Sequence, residues 1–337
     1  MAVFSVNTRQ KSPGPLFLCP IEAELKLVEE VISNELISEV QTVETVSRHV
    51  LDAGGKRLRP SLVILSAGAV LNGHDPIRLT NVAAGAELIH TATLMHDDVI
   101  DDSNSRRGRA TANTLWGNRV SVLSGDYVLA KAFSLLSRDG DMAIMRALSD
   151  ATIAMAEGEV AQIEKKGDTH ALTNAYLTII RQKTAEFMSA CCRIGAILGS
   201  GSAYETEALA AYALDLGMAF QITDDLLDLV GDPAQTGKPV GGDLREGKVT
   251  MPIIITLQRV TPSDRDAVEA IIRSEDASPN DVEFVRGLAE STGAVEATRE
   301  SAADYISKAI CSLNALPPSD ARDSLEQLAG YILNRGS

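Results

Sequence analysis

Apolar residues at Ile21, Leu25, Val28, Ile32, Leu36 and Val40 recur three or four positions apart, and this spacing returns along most of the chain. A helix face repeats about every 3.6 residues, whereas a half-buried strand alternates, so the pattern commits the chain to amphipathic helices. It predicts helices over 77–101, 115–137, 141–165, 171–199, 204–230, 250–259, 264–273, 280–292, 294–314 and 319–333. Gly and Pro punctuate the junctions, as in Gly199-Ser200-Gly201 and Pro317-Pro318. No segment reads as a convincing strand. Aromatic residues are only 4% of the 337 and hydrophobic residues 45%, a balance that suits packed helices better than a β-sandwich. The expectation is an all-α fold of antiparallel helices. Residues 21–337 form one large domain, and a flexible tail covers 1–20, where Pro13, Gly14, Pro15 and Pro20 cluster.

A net charge of −15 gives a surface that repels nucleic acid and anionic lipid headgroups. Any phosphate-bearing substrate therefore needs a local basic patch or a bound metal ion. Cys19, Cys191, Cys192 and Cys311 show no metal-ligand spacing and no disulfide framework, which leads us to expect a reducing, cytoplasmic location. No run of about 18 apolar residues is apparent, so no transmembrane segment is expected.

Two acidic clusters end apolar helical runs far apart in the chain: His96-Asp97-Asp98-Val99-Ile100-Asp101 and Thr223-Asp224-Asp225-Leu226-Leu227-Asp228. On a helix, Asp97 and Asp101 share one face with Asp98 beside them. Each like-charged pair destabilises an isolated helix by about 0.2–0.5 kcal/mol, and a helix C-terminus disfavours acids. A solvated helix end explains one such cluster poorly and two worse. Apart from His96 the donors are carboxylate oxygens, which select Mg2+ over zinc. Mg2+ takes one or two carboxylates and completes its shell with water and substrate phosphate. Two facing acidic walls around a diphosphate follow.

The cations fit that reading. Lys56, Arg57 and Arg59 lie in a glycine-hinged loop, and Arg106 and Arg107 follow the first cluster. A run of Lys and Arg is usually a solvated face. Here Gly54 and Gly55 let backbone approach a ligand, and guanidinium forks match phosphate oxygens. One patch would bind a diphosphate directly and the other through metal, giving two diphosphate substrates.

Taken together, these segments resemble the trans-isoprenyl (polyprenyl) diphosphate synthases of the long-chain type. The matching stretches are GGKRLRP at 54–60, IHTATLMHDDVIDD at 89–102, RRG at 106–108, KTA at 183–185, FQITDDLLDLVGD at 220–232 and TGKPVGGDLREGK at 236–248. The resemblance covers the chain from about residue 21. It implies helices around a deep central cavity, Mg2+ as cofactor and a homodimer. By position, Asp97, Asp101 and Asp224 resemble direct metal ligands, and Asp98 and Asp228 their supporters. Lys56, Arg59, His90 and Arg107, with Arg57 beside them, match the site for isopentenyl diphosphate. Arg106, Lys183, Gln221, Lys238 and Lys248 match the site for the allylic diphosphate, and Thr184 and Gln221 lie where the family steadies the allylic cation. Asn104 stands where Asp is common in the family. A lone helical His is more often a satisfied core residue, but the place of His90 on the helix leading to Asp97 favours a ligand role.

The implied reaction is ionisation of the allylic diphosphate, attack by the double bond of isopentenyl diphosphate and loss of a proton. Ala92 and Thr93 lie about one turn before Asp97, where short-chain members carry aromatic side chains. Their small size predicts a long all-trans product. The alternatives are a geranylgeranyl or farnesyl diphosphate synthase, a class I terpene cyclase, which would not need the second diphosphate site, and a non-catalytic subunit.

Overall fold

The computed structural model describes residues 16–231 and 240–334. A 3-10 turn, Leu16–Ile21, leads into helices α1 (Glu22–Glu35), α2 (Gln41–Asp52), α3 (Leu58–Ala69), α4 (Pro76–Ile100), α5 (Ala112–Trp116), α6 (Asn118–Asp139), α7 (Met142–Glu164), α8 (Thr169–Ile180), α9 (Glu186–Leu198) and α10 (Ala203–Val230). Beyond residue 240 come the short helix Gly242–Arg245 and then Met251–Arg259, Pro262–Ser274, Pro279–Ser291, Ala294–Ser312 and Asp320–Leu333. The all-α expectation holds.

Local chemistry sets the helix ends. Asp75 caps α4 by accepting from the Ile77 and Arg78 amides, with Pro76 at the first helical position. Ser202 and Glu205 form a reciprocal capping box at the start of α10. Gly140, at φ 76°, ends α6 in the left-handed conformation that glycine adopts without penalty.

Helix α4 packs along α6 and against α1 and α3, while α9 lies between α3, α7 and α10. The helix Ala294–Ser312 runs against the other side of α10. Leu62, Leu65, Leu88, Ile89 and Tyr212 are fully enclosed in the main core. A second core joins Tyr176 and Ile180 to Ile222, Leu229 and Ile253. Helices α4 and α10, which carry the two acidic clusters, are thus held by packing along most of their length.

Four features depart from the sequence reading. The helix expected over 171–199 is interrupted by a π turn, Arg181–Ala185, a form often found at functional sites. Two glycines crowd this turn: a Cβ on Gly158 of α7 would lie 2.9 Å from Gln182 Cβ, and one on Gly217 of α10 would lie 2.5 Å from Ala185 Cα. Second, Ser105–Arg106 and Arg109–Ala110 pair as a two-residue antiparallel hairpin, too short to leave an alternating pattern. Third, residues 1–15 of the expected tail lie outside the described residues, but the rest of it is folded. Phe17 is buried against the Tyr331 ring, with centroids 5.3 Å apart. Fourth, α6 contains an 18-residue window of mean hydropathy 1.2, long and apolar enough for a membrane span by composition. One side of it, from Ser121 to Leu136, is buried in the protein.

Candidate active site

Helix α4 lays out the first wall. Asp98 is buried at 2% exposure and accepts from Arg106 Nε at 2.7 Å. Its backbone carbonyl, with that of Ser103, accepts from the Asn113 amide at 3.1 Å. Asp98 therefore anchors the hairpin that carries Arg106 and Arg107. The Asp97 carboxylate has no hydrogen bond or ion pair among the described residues. Burial, reinforced by Glu159 on α7, pushes its carboxyl up to about 6, with Lys183 acting in the opposite direction. Lys183, presented by the π turn, pairs with Glu159 at 2.5 Å and donates to Gln162 at 2.6 Å. His96 turns away toward α6, with Nε2 3.3 Å from Asp126 Oδ1.

Helix α10 lays out the second wall. Asp225 is buried and accepts from Tyr176 Oη at 2.7 Å and from Gln221 Nε2 at 2.8 Å. Thr184 Oγ1 donates to Gln221 Oε1 at 2.9 Å. Asp228 accepts from the backbone amides of Gly242, at 3.2 Å, and Asp243, at 2.9 Å. These are the free amides at the start of a helix, the ordinary place for a capping carboxylate. Asp98 and Asp228, expected to support metal, are thus engaged by protein donors.

Two cations tie the walls together. Lys248 Nζ lies 2.5 Å from Glu246 and 3.7 Å from Asp101 Oδ1. Burial opposes its charge, but Asp243, Asp101 and Glu246 outweigh burial and hold the proton more firmly than usual. Arg59 is half-buried, its Nε fully enclosed and without a hydrogen-bond partner. Burial lowers its proton affinity, while Glu87 of α4 and Asp224 of α10 both act to restore it. A residue from α3 thus feels an acid of α4 and an acid of α10.

The loop of cations departs from expectation at Arg57, which adopts φ 47°. Its guanidinium binds Glu29, donates to Glu87 Oε1 at 3.0 Å and reaches the Leu51 carbonyl at 3.3 Å. We correct its assignment as a diphosphate contact, because those partners turn it inward as the anchor of the loop. Lys56 donates to Tyr331 Oη at 2.5 Å, with its ammonium 4.8 Å from the ring centroid. His90 is held neutral by burial, then by the nearby charges of Arg59, Arg107, Arg106 and Arg57. Lys238 lies outside the described residues.

Arg107 lies over Gly55, where an added Cβ would meet Nη1 at 2.7 Å. The obstructing atom ends a flexible side chain, so Gly55→Ala should leave the melting temperature unchanged and displace the guanidinium. Loss of one charged contact of about 1.5 kcal/mol corresponds to an increase of about tenfold in the KM of the substrate bound there. Steady-state kinetics with each substrate varied in turn checks this.

The donor set fits a hard divalent cation: Asp97 and Asp101 stand on one wall and Asp224 on the other, all carboxylates. Among the described residues no group of three or more His, Cys, Asp or Glu side chains is arranged to hold an ion alone. Ala92 is buried, and Thr93 donates to the His90 carbonyl at 2.8 Å. An apolar cleft lies behind α10, lined by Ile222, Leu226, Val230, Arg299 and Leu333 among others. No expected site residue lines it.

Sequence reasoning missed Glu87, Glu159, Tyr176 and Asp243. Glu87, an acid inside the apolar run before His90, was the readable signal. Burial raises the proton affinity of Glu87, against Arg57 and Arg59. Asp243 is raised well above the carboxylate range by burial, then Asp228 and Asp225.

Known proteins are similar to this chain in sequence and fold. Residues 40–288 match the family model described as polyprenyl synthetase. The chain is 38% identical over 307 residues to a short chain isoprenyl diphosphate synthase of Methanothermobacter thermautotrophicus, covering 89% of this chain and 93% of the relative. It is 37% identical over 308 residues to the octaprenyl diphosphate synthase of Escherichia coli, covering 91% and 94%. A polyprenyl synthase of Caulobacter crescentus, solved with calcium and isoprenyl diphosphate, superposes with a TM-score of 0.91 at 38% identity, over 95% of this chain and 97% of that one. With both acidic walls and the cationic loop in place, the chain belongs to the polyprenyl synthetase family.

Proposed function

We propose that the protein is a Mg2+-dependent prenyltransferase that condenses an allylic diphosphate with isopentenyl diphosphate, 1'-4 head-to-tail, to a long all-trans polyprenyl diphosphate. The observation that carries this reading is the meeting of the two walls: Lys248 reaches Asp101 at 3.7 Å from a loop whose Asp243 amide binds Asp228. The family relatives, all isoprenyl diphosphate synthases, support it.

In this reading Lys56, Arg59 and Arg107 hold the diphosphate of isopentenyl diphosphate. Neutral His90 adds a donor without adding charge. Lys183, Lys248, Arg106 and, by sequence, Lys238 orient the allylic diphosphate. Asp97, Asp101 and Asp224 would hold Mg2+, which when bound supplies positive charge to the departing diphosphate. The C–O bond breaks and the diphosphate keeps the electron pair. The double bond of isopentenyl diphosphate attacks the allylic carbon, and a proton passes to the released diphosphate. Thr184 and Gln221 place oxygen and amide dipoles beside the allylic carbon, and aligning both substrates supplies a large part of the acceleration. Lys183 is held by Glu159 and Gln162.

Ala92 and Thr93 place no ring before Asp97, which supports a long product. Exposed apolar residues on α6 and α7, namely Leu123, Ile153, Val160 and Ile163, support a homodimer. Four free cysteines suit the cytoplasm.

The test is the purified chain alone with labelled isopentenyl diphosphate, an allylic primer and Mg2+, with products separated by chain length. A long polyprenyl diphosphate is expected, abolished by EDTA and restored by Mg2+. Cyclised hydrocarbon without consumption of isopentenyl diphosphate would reveal a cyclase, and no turnover by the lone chain would reveal a dependent subunit. A product ending at geranylgeranyl diphosphate would overturn the length assignment. Sedimentation of the same material at 35.8 kDa would remove the homodimer.

A further inference from the structure

We propose that Tyr176 is a positioning residue for the condensation, acting through Asp225 on the Gln221 amide and the Thr184 hydroxyl; this deepens the prenyltransferase reading and rests on it. Three hydrogen bonds form one chain: Tyr176 Oη to Asp225 Oδ2 at 2.7 Å, Gln221 Nε2 to Asp225 Oδ1 at 2.8 Å, and Thr184 Oγ1 to Gln221 Oε1 at 2.9 Å. The chain crosses from α8, through α10, to the π turn that also presents Lys183. Tyr176 and Asp225 are each 5% exposed, Thr184 is 9% exposed and Gln221 is half-buried, so water competes little for these bonds.

The chemistry of each group fixes the direction of the chain. With both Asp225 oxygens accepting, the Gln221 group that faces them is its NH2. Its carbonyl oxygen then faces Thr184, and the Thr184 proton is committed to it. Thr184 is left with lone pairs only, and Gln221 with one N–H. A hydroxyl that offers lone pairs stabilises a neighbouring carbocation; one that offers its proton does not. Tyr176 holds Asp225 so that this polarity is set before substrate arrives, which is where preorganised dipoles gain their effect. Asp225, the middle acid of the second cluster, is thereby assigned to orientation. The sequence gives no hint of Tyr176, because α8 and α10 meet only in the fold.

The test uses full-length protein and saturating Mg2+, measuring a single condensation. Tyr176→Phe keeps the ring and removes one O–H. It should lower kcat about tenfold, the usual scale for losing a partner that orients a working group, and leave both KM values within about twofold. A merely structural tyrosine would lower the melting temperature and leave kcat intact below it. In a Thr184→Val background the same substitution should lower kcat by less than about twofold more, because the relay already ends there. Asp225→Asn gives an independent reading should the Phe variant fail to fold. The new NH2 faces either Tyr176 Oη or the Gln221 amide, so one link of the chain reverses or breaks, and kcat should fall. Unchanged kcat in Tyr176→Phe, full multiplication of its effect in the Thr184→Val background, or unchanged kcat in Asp225→Asn each overturns the proposal. Absence of condensation by the parent protein is a different result: it overturns the prenyltransferase reading and the relay with it.

Discussion

Asp97→Asn is expected to lower kcat about a thousandfold while the metal-free protein melts at the same temperature or higher. Removing a single preorganised electrostatic group from a reaction centre lowers kcat by about 10^2–10^3, and Asp97 is the acid least occupied with other duties. Asp98 is bound to Arg106, Asp225 to Tyr176 and Gln221, and Asp228 to two backbone amides. The Asp97 carboxylate has neither hydrogen bond nor ion pair among the described residues, and burial with Glu159 and Asp101 nearby raises its pKa from 3.8 to about 6. An acid whose folded-state pKa is raised destabilises the fold above that pKa, because the unfolded chain releases the proton more readily. The penalty is absent below about pH 4 and complete above about pH 6. At one pKa unit per 1.36 kcal/mol its scale is about 1–3 kcal/mol at neutral pH. Asparagine removes it, so with EDTA present the variant should gain stability at pH 7.5 and gain nothing at pH 4. Calorimetry at the two pH values and steady-state kinetics with Mg2+ check both halves. A variant that retains kcat would remove Asp97 from the metal site.

Gly217→Ala is expected to lose both stability and activity, although alanine is the better helix former by about 1 kcal/mol. The added Cβ would sit 2.5 Å from Ala185 Cα and 2.9 Å from Ala185 Cβ. Neither atom can move by changing rotamer, so α10 and the π turn must separate. Overpacking of this kind costs about 1–3 kcal/mol, enough to reverse the propensity gain. The separation also shifts Lys183 and Thr184, so kcat should fall by about tenfold or more. Gly287→Ala is the control. It lies in the helix Pro279–Ser291 with nothing within 4 Å of its added Cβ, and it should stabilise by about 0.5–1 kcal/mol. Thermal melts and kcat of the two variants together separate steric from propensity effects. Equal stabilisation by both would refute the close approach.

The corrections to the sequence reading share a cause. Arg57 looked like a phosphate ligand because its neighbours Lys56 and Arg59 do, and composition is blind to direction. Glu29, Glu87 and the Leu51 carbonyl reach it from other parts of the fold and turn it inward. Asp98 and Asp228 were read as metal supporters from the family resemblance, which carries no word of the Arg106 hairpin and the Gly242 helix start that hydrogen-bond them here. The π turn at 181–185 was invisible, and the glycines that leave it room, Gly158 and Gly217, are distant in sequence.

What the sequence determined unaided was the helical period, most helix ends and the residue types of the reaction centre. These are local: a 3.6-residue repeat, Gly and Pro at the junctions, and acids that end apolar runs all act within a few positions. Tertiary structure alone decided which acids are engaged by protein donors, that Arg57 turns inward, and that Tyr176 stands behind Asp225. Those outcomes depend on which groups meet across helices, where burial and a second charge shift each hydrogen bond, and no local spacing carries that information.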